Sequence, residues 1–246
     1  MTVRYEVREQ IAYISFNRPE KHNALRDEDI ASLVDALGRL DTDDRAQVGI
    51  LFGNGPSFSS GGDVDQRLQR SMDEGSTRGR TNEADAFTQC ANWKPVIAAV
   101  HGYCLGHALG TALYCDYLVA ARDARFQVTE ITIGLPMAAV VPRLGGRAFA
   151  WEVATTGRVF SADEAWHAGV VTRLVDTGHH VEEAEELARL ILQNPPSAVR
   201  QSVRVRRLVM AEEAARYLSH SERFDWATDS DARDAVSQLA RRMRPS

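Results

Sequence analysis

The sequence predicts an α/β fold with parallel strand pairing. Three observations predict it. Apolar segments of strand length recur at residues 11–16, 48–52, 96–100 and 117–121. Helical patterns or glycine-led helix starts stand between them. From Val181 onward the chain reads as helix alone. Strands alternating with helices are the pattern of a parallel sheet covered by helices.

Each element has a local reason. In residues 11–16, Ala12, Ile14 and Phe16 alternate on one face, as in a half-buried strand, and Asn17-Arg18-Pro19 breaks it. Across residues 27–40, Ile30, Leu33, Val34, Leu37 and Leu40 keep helical spacing. Residues 48–52 form a short apolar run of buried-strand type, and residues 53–62 a loop rich in Gly and Ser. Residues 66–85 are polar, contain Gly75 and Gly79, and are expected to be the mobile segment. Pro95 opens the next strand, His101-Gly102 turns the chain, and residues 106–115 read as a buried helix before the strand at 117–121. Ser161 and Glu164 have capping-box spacing, so a helix is expected to start there and end at Gly169, before a strand at 170–175. Asn194-Pro195-Pro196 separates two helical stretches and marks the boundary between a core, residues 1–194, and a C-terminal helical region, residues 195–246. That tail is expected to pack on the core or on another subunit.

Composition narrows the function. The chain has 246 residues, 44% of them hydrophobic, enough for one sizeable core. Its 34 acidic and 29 basic residues leave a net charge of −5, which argues against general nucleic-acid binding through phosphate neutralisation. Only Lys21 and Lys94 are lysines. Cys90, Cys104 and Cys115 have no CxxC or Cys/His ligand spacing, which points to buried thiols in a reducing compartment and to no metal site. The polar start, with Arg4, Glu6 and Arg8, does not read as a secretory signal, and no apolar run has bilayer length. A cytoplasmic protein without membrane attachment is expected. No G-x-G-x-x-G dinucleotide fingerprint is present, and Ser59 and Ser60 lack a G-x-S-x-G context.

Three segments carry candidate chemistry: Asn17-Arg18-Pro19-Glu20-Lys21-His22-Asn23-Ala24-Leu25, Phe58-Ser59-Ser60-Gly61-Gly62-Asp63-Val64, and the run from Lys94 through His101-Gly102-Tyr103-Cys104-Leu105-Gly106 to Asp116. Each also has a plain structural reading: a turn capped by Asn23 or Asp27, a surface loop, and a strand, turn and core helix. The second and third share a feature. Each places glycine just before a helix start, Gly61-Gly62 in one and Gly106 in the other. Glycine lets backbone approach a ligand closely, and amides at a helix start favour developing negative charge. Two such points, if they converge, make an oxyanion hole.

Together, in this order and with these gaps, the segments resemble the crotonase superfamily, the enoyl-CoA hydratase/isomerase family, from about Val3 to Val175. The resemblance implies a crotonase-like spiral of β-β-α repeats, C-terminal helices that help build a homotrimer or a dimer of trimers, and an acyl-CoA thioester substrate, with no cofactor beyond the coenzyme A that the substrate carries. It implies Gly62 and His107 as the residues whose backbone N–H groups bind the thioester oxygen. Coenzyme A would lie along Lys21, His22 and Ala24, and along Ser60, Gly61, Gly62, Asp63 and Val64, with Gly106 at the helix start. His107 departs from the glycine common at its position. Its imidazole is left with three roles: crowding the site, bonding the substrate, or pointing away.

Two carboxylates are usual in hydratases of this family. The position of the first is Gly110 here, so that carboxylate is absent. Phe126-Gln127-Val128-Thr129-Glu130 matches the segment of the second, which makes Glu130 the acid/base. Its apolar neighbours Val128, Ile131, Ile133 and Leu135 are expected to raise its pKa towards a general-base range. One carboxylate is enough to move a proton from C2 to C4, so isomerisation of a 3-enoyl-CoA to a 2-enoyl-CoA stands slightly ahead of 2-enoyl-CoA hydration. Residues 133–139 lack the Pro-Gly-Ala-Gly-Gly-Thr run that usually shapes the acyl pocket. Asp63 and Asp116 are read as structural, a helix cap and a helix-to-strand junction. The alternative is an acyl-CoA-binding protein without catalysis.

Overall fold

In the computed structural model, residues 2–63, 65–66, 92–134 and 138–221 are described, together with a few positions between 230 and 238. The segment expected to be mobile lies, past Gln66, outside the described residues, as do Val64, Cys90 and residues 135–137.

Six strands form the main sheet: β1 (Val3–Arg8), β2 (Ile11–Phe16), β3 (Val48–Gly53), β4 (Val96–Val100), β6 (Tyr117–Ala121) and β9 (Arg173–Val175), in the order β1-β2-β3-β4-β6-β9. Among the described residues of this sheet, β1 and β2 pair antiparallel and the later pairs are parallel, as the alternation predicted. A second, three-stranded sheet joins β5 (Tyr103–Leu105), β7 (Arg125–Gln127) and β8 (Phe160–Ser161).

The two sheets are linked by a repeated course of the chain. β4 in the large sheet leads to β5 in the small one and then to helix α2 (His107–Tyr114). β6 leads in the same way to β7 and then, through two 3-10 turns, to α3 (Arg147–Thr156). β3 leads to Ser59, which bridges to Cys104 of β5. The β4 and β6 turns therefore each give a strand to both sheets before a helix, which is the β-β-α repeat of the spiral.

Both faces of the main sheet are covered at its central strands, which explains why β3, β4 and β6 are apolar on both sides. Ala12, Ile14, Leu51, Ala98 and Ala120 pack with Ile30, Leu33 and Leu40 of α1 (Asp27–Thr42) and with Ala108 and Leu109 of α2. Ile11, Val48, Ile50, Ile97 and Val119 pack on the opposite side with Ala184, Leu187, Ala188 and Ile191 of α5 (His180–Leu192). The expected capping box opens α4 (Ala162–His167): the Glu164 N–H donates to Ser161 Oγ, and the Ser161 N–H to the Glu164 carboxylate.

Helix α6 (Pro196–Ser221) is held to the core by Asp116. One carboxylate oxygen accepts from Arg206 Nη1 at 2.8 Å, the other from Arg207 Nη2 at 2.7 Å and from the Val96 N–H at 2.8 Å. Arg207 Nη1 also donates to the Tyr114 carbonyl. The helix-to-strand aspartate thus fixes the junction and the following helix at once. No helix among the described residues is long and apolar enough to cross a membrane.

Candidate active site

The three segments converge. Asn23 is their buried centre. Its backbone is left-handed, at φ +54°, a conformation that asparagine tolerates better than most residues. Its Nδ2 donates to the carbonyls of Asn54 and Ser57, and its Oδ1 accepts from the Arg18 N–H. Its own carbonyl accepts from Ser59 Oγ, which in turn accepts from the Gly61 N–H. The Ser60 N–H donates to the His22 carbonyl. His22 Nδ1 lies 3.1 Å from Ser57 Oγ, and its ring meets Tyr103 edge-on. Lys21 closes an exposed 3-10 turn, and the Ala24 N–H donates to its carbonyl.

Gly61-Gly62 runs between Leu25 on one side and β5 on the other. The Leu25 N–H donates to the Gly61 carbonyl at 2.7 Å, and the Asp63 N–H to the Leu25 carbonyl at 2.8 Å. In a planar trans peptide, C=O and N–H point in opposite directions. Because the Gly61 carbonyl faces Leu25, the Gly62 N–H faces away from it. The segment that carries Leu105 to His107 comes close: a Cβ on Gly61 would stand 2.6 Å from the Leu105 oxygen and 3.7 Å from the His107 nitrogen. Gly61 also sits at φ +92°, so glycine is required twice over.

The same peptide logic applies at the start of α2. The Gly106 carbonyl accepts from the Gly110 N–H at 3.0 Å and so points along the helix. The His107 N–H therefore points back out of the helix start, where the macrodipole is positive. Gly110, where the first carboxylate would stand, is buried in that helix.

Glu130 completes the group. It opens a 3-10 turn, Glu130–Ile133, rather than lying on a strand. Its carboxylate accepts from Thr129 Oγ1 at 3.3 Å and lies, with that hydroxyl, against Gly106: an added Cβ would meet Thr129 Oγ1 first and then the two carboxylate oxygens at 2.8 and 3.1 Å. Gly106 is also at φ +50°. Of the apolar neighbours expected for Glu130, Val128 is buried and Ile131 half-buried; Leu135 lies outside the described residues, as does part of the loop at 133–139. Amides from two separated segments and one carboxylate are thus brought to one place.

Residues 6–232 match the enoyl-CoA hydratase/isomerase family. The chain belongs to that family. Its relatives include an (E)-benzylidenesuccinyl-CoA hydratase from Thauera aromatica, 33% identical over 81% of this chain and 79% of the relative. A probable enoyl-CoA hydratase 1 from Arabidopsis thaliana, named as peroxisomal, is 33% identical over 77% of this chain and 72% of its own. Among solved structures, the enoyl-CoA hydratase/isomerase of Pseudoalteromonas atlantica T6c superposes with a TM-score of 0.85 at 28% identity, covering 100% of this chain and 99% of that one. The fold is therefore the crotonase fold of that family.

In this member of the family, the sequence reading gave site roles to the two glycine segments and Glu130, but none to three supporting residues inside its candidate segments. Arg18, Asn23 and Ser59 carry the hydrogen bonds that seat Gly61-Gly62. Asp63, read as a helix cap, does accept from the Gln66 N–H at 3.2 Å, and it also pairs with Arg18.

Proposed function

We propose that the chain transfers a proton at C2 of an acyl-CoA thioester while the Gly62 and His107 amides hold the thioester oxygen as an enolate, with Glu130 as acid and base. The observation that carries this reading is the Glu130 carboxylate set against Gly106, one residue before the His107 amide. Donors aimed at a developing oxyanion are each worth about 2.7–4 kcal/mol of barrier. Lys21, His22, Ala24 and the segment from Ser60 to Val64 take the coenzyme A portion. In this reading the chain assembles as a trimer or a dimer of trimers, and the protein works in the cytoplasm.

Two reactions fit. Hydration of a 2-enoyl-CoA is favoured by the names of the relatives, which are hydratases. It requires water to lose a proton as its oxygen bonds to C3, and C2 to gain one. Isomerisation of a 3-enoyl-CoA is favoured by Gly110, because a single carboxylate suffices to take the C2 proton and return it at C4. Purified protein assayed separately with trans-2-enoyl-CoA and trans-3-enoyl-CoA tells them apart. Glu130→Gln is expected to lower either rate by about 10²–10⁴-fold. Full activity in that variant removes Glu130 from the reaction. Tight acyl-CoA binding with no turnover of either substrate, unaffected by Glu130→Gln, leaves a binding protein without catalysis.

A further inference from the structure

Gly61-Gly62 is held on its Leu25 side by an isolated bridge of two hydrogen bonds. Two successive glycines have the widest backbone freedom of any dipeptide, so these two bonds, with the Gly61 N–H on Ser59 Oγ, are still a weak restraint on the direction of the peptide between them. A charged clamp stands at that bridge. Arg18 Nη1 reaches the Asp63 carboxylate at 2.6 Å and the Ala24 carbonyl at 3.3 Å. Ala24 and Asp63 are the residues next to Leu25 and Gly62, so one guanidinium nitrogen ties both strands of the bridge. The pair is mostly withdrawn from solvent, with side-chain exposures of 19% for Arg18 and 9% for Asp63, and screening is correspondingly small. The other carboxylate oxygen of Asp63 is anchored by the Gln66 N–H, and the Arg18 backbone is anchored by Asn23.

We infer that Arg18 and Asp63 form a positioning pair that fixes the direction of the Gly62 N–H, and so sets how strongly the site stabilises an enolate. The inference rests on the reading of Gly62 as an oxyanion donor. Neither side chain touches the reacting atoms. They act through the Leu25–Gly62 bridge, holding the Gly61 carbonyl on Leu25 and the Gly62 amide in the opposite direction.

Asp63→Asn keeps the shape and the acceptor for Gln66 while removing the ionic bond; Arg18→Gln removes it from the other end. Each variant is compared with wild type in thermal melts, in kcat and KM on the active enoyl-CoA, and in the enolate absorbance of bound 3-oxoacyl-CoA. A misdirected donor is expected to lower kcat by about 10²-fold with KM held within about twofold, and to weaken the enolate band in parallel. A merely structural pair lowers the melting temperature and leaves kcat per folded molecule and the enolate band at wild-type values; that result, in whichever of the two variants folds, overturns the inference. A wild-type protein with neither turnover nor an enolate band overturns the oxyanion reading itself, and the positioning role with it.

Discussion

The carboxylate of Glu130 rests against the Cα of Gly106, at the point where any other residue would begin its side chain. Gly106→Ala is therefore expected to press on Thr129 Oγ1 first and on the Glu130 carboxylate next, displacing both, and to strain a backbone at φ +50°. Loss of about 10²-fold in kcat/KM is expected for a displacement near 1 Å, with the circular dichroism of a folded protein retained. An alanine variant with wild-type kcat/KM would show that Glu130 is not poised there for chemistry.

Gly61→Ala tests the approach of the two amide segments. The added methyl would press on the Leu105 carbonyl, a main-chain atom that cannot rotate aside, at a residue with φ +92°. A stability loss of about 1–3 kcal/mol is expected from the backbone alone. Its catalytic loss should be larger than that of a surface variant matched for stability, measured as kcat at a temperature well below both melts.

Asp116→Ala tests the anchor of α6. It removes the carboxylate that Arg207, buried with only 4% of its side chain exposed, pairs with at 2.7 Å. Removing one partner of a buried pair costs about 3–5 kcal/mol. Urea unfolding of the variant is expected to show that loss, while Glu152→Ala, at the exposed Arg158 pair, should change stability by about 1 kcal/mol or less.

The protein is expected to lose stability on mild acidification. Burial first, and the neighbouring His101 second, lower the pKa of His180 from 6.5 to about 4, against a smaller opposing pull from Asp123. Its ring stacks on His101 with centroids 4.2 Å apart. The unfolded chain therefore takes up this proton before the folded one does. The sign follows: stability is full above pH 6.5, falls between 6.5 and about 4, and loses no more from this group below that. The loss is on the order of 3 kcal/mol over that range. Melting curves of wild type and His180→Gln across this interval check it; parallel pH dependences would remove His180 as the cause.

The sequence made some of this legible and hid the rest for physical reasons. The strand at Ile11–Phe16 and those at Val96–Val100 and Tyr117–Ala121 appear at their expected bounds, because buried strands carry long apolar runs. β1 was not foreseen. Val3, Tyr5 and Val7 do alternate, but Arg4, Glu6 and Arg8 on the other face made the segment read as merely polar. The small sheet also escaped notice, since three residues such as Tyr103–Leu105 are too few to display a period. Helix α3 buries only Ala150, Val153 and Ala154, which leaves little pattern to read. At the site, the glycines before helix starts were visible because glycine marks backbone that needs room. The Arg18–Asp63 pair was not, since its partners stand far apart in the chain and nothing in either residue type announces the other.

The direction of two peptide planes, one between Gly61 and Gly62 and one between Gly106 and His107, has a consequence for how such a protein evolves. A hydrogen-bond donor that belongs to the main chain survives every exchange of amino acid except proline. Histidine can occupy position 107 without deleting the donor there. If the two amides act as proposed, mutation is free to redraw the side chains around them, and with those the choice of acyl group, while the donors themselves pass unaltered from one descendant to the next.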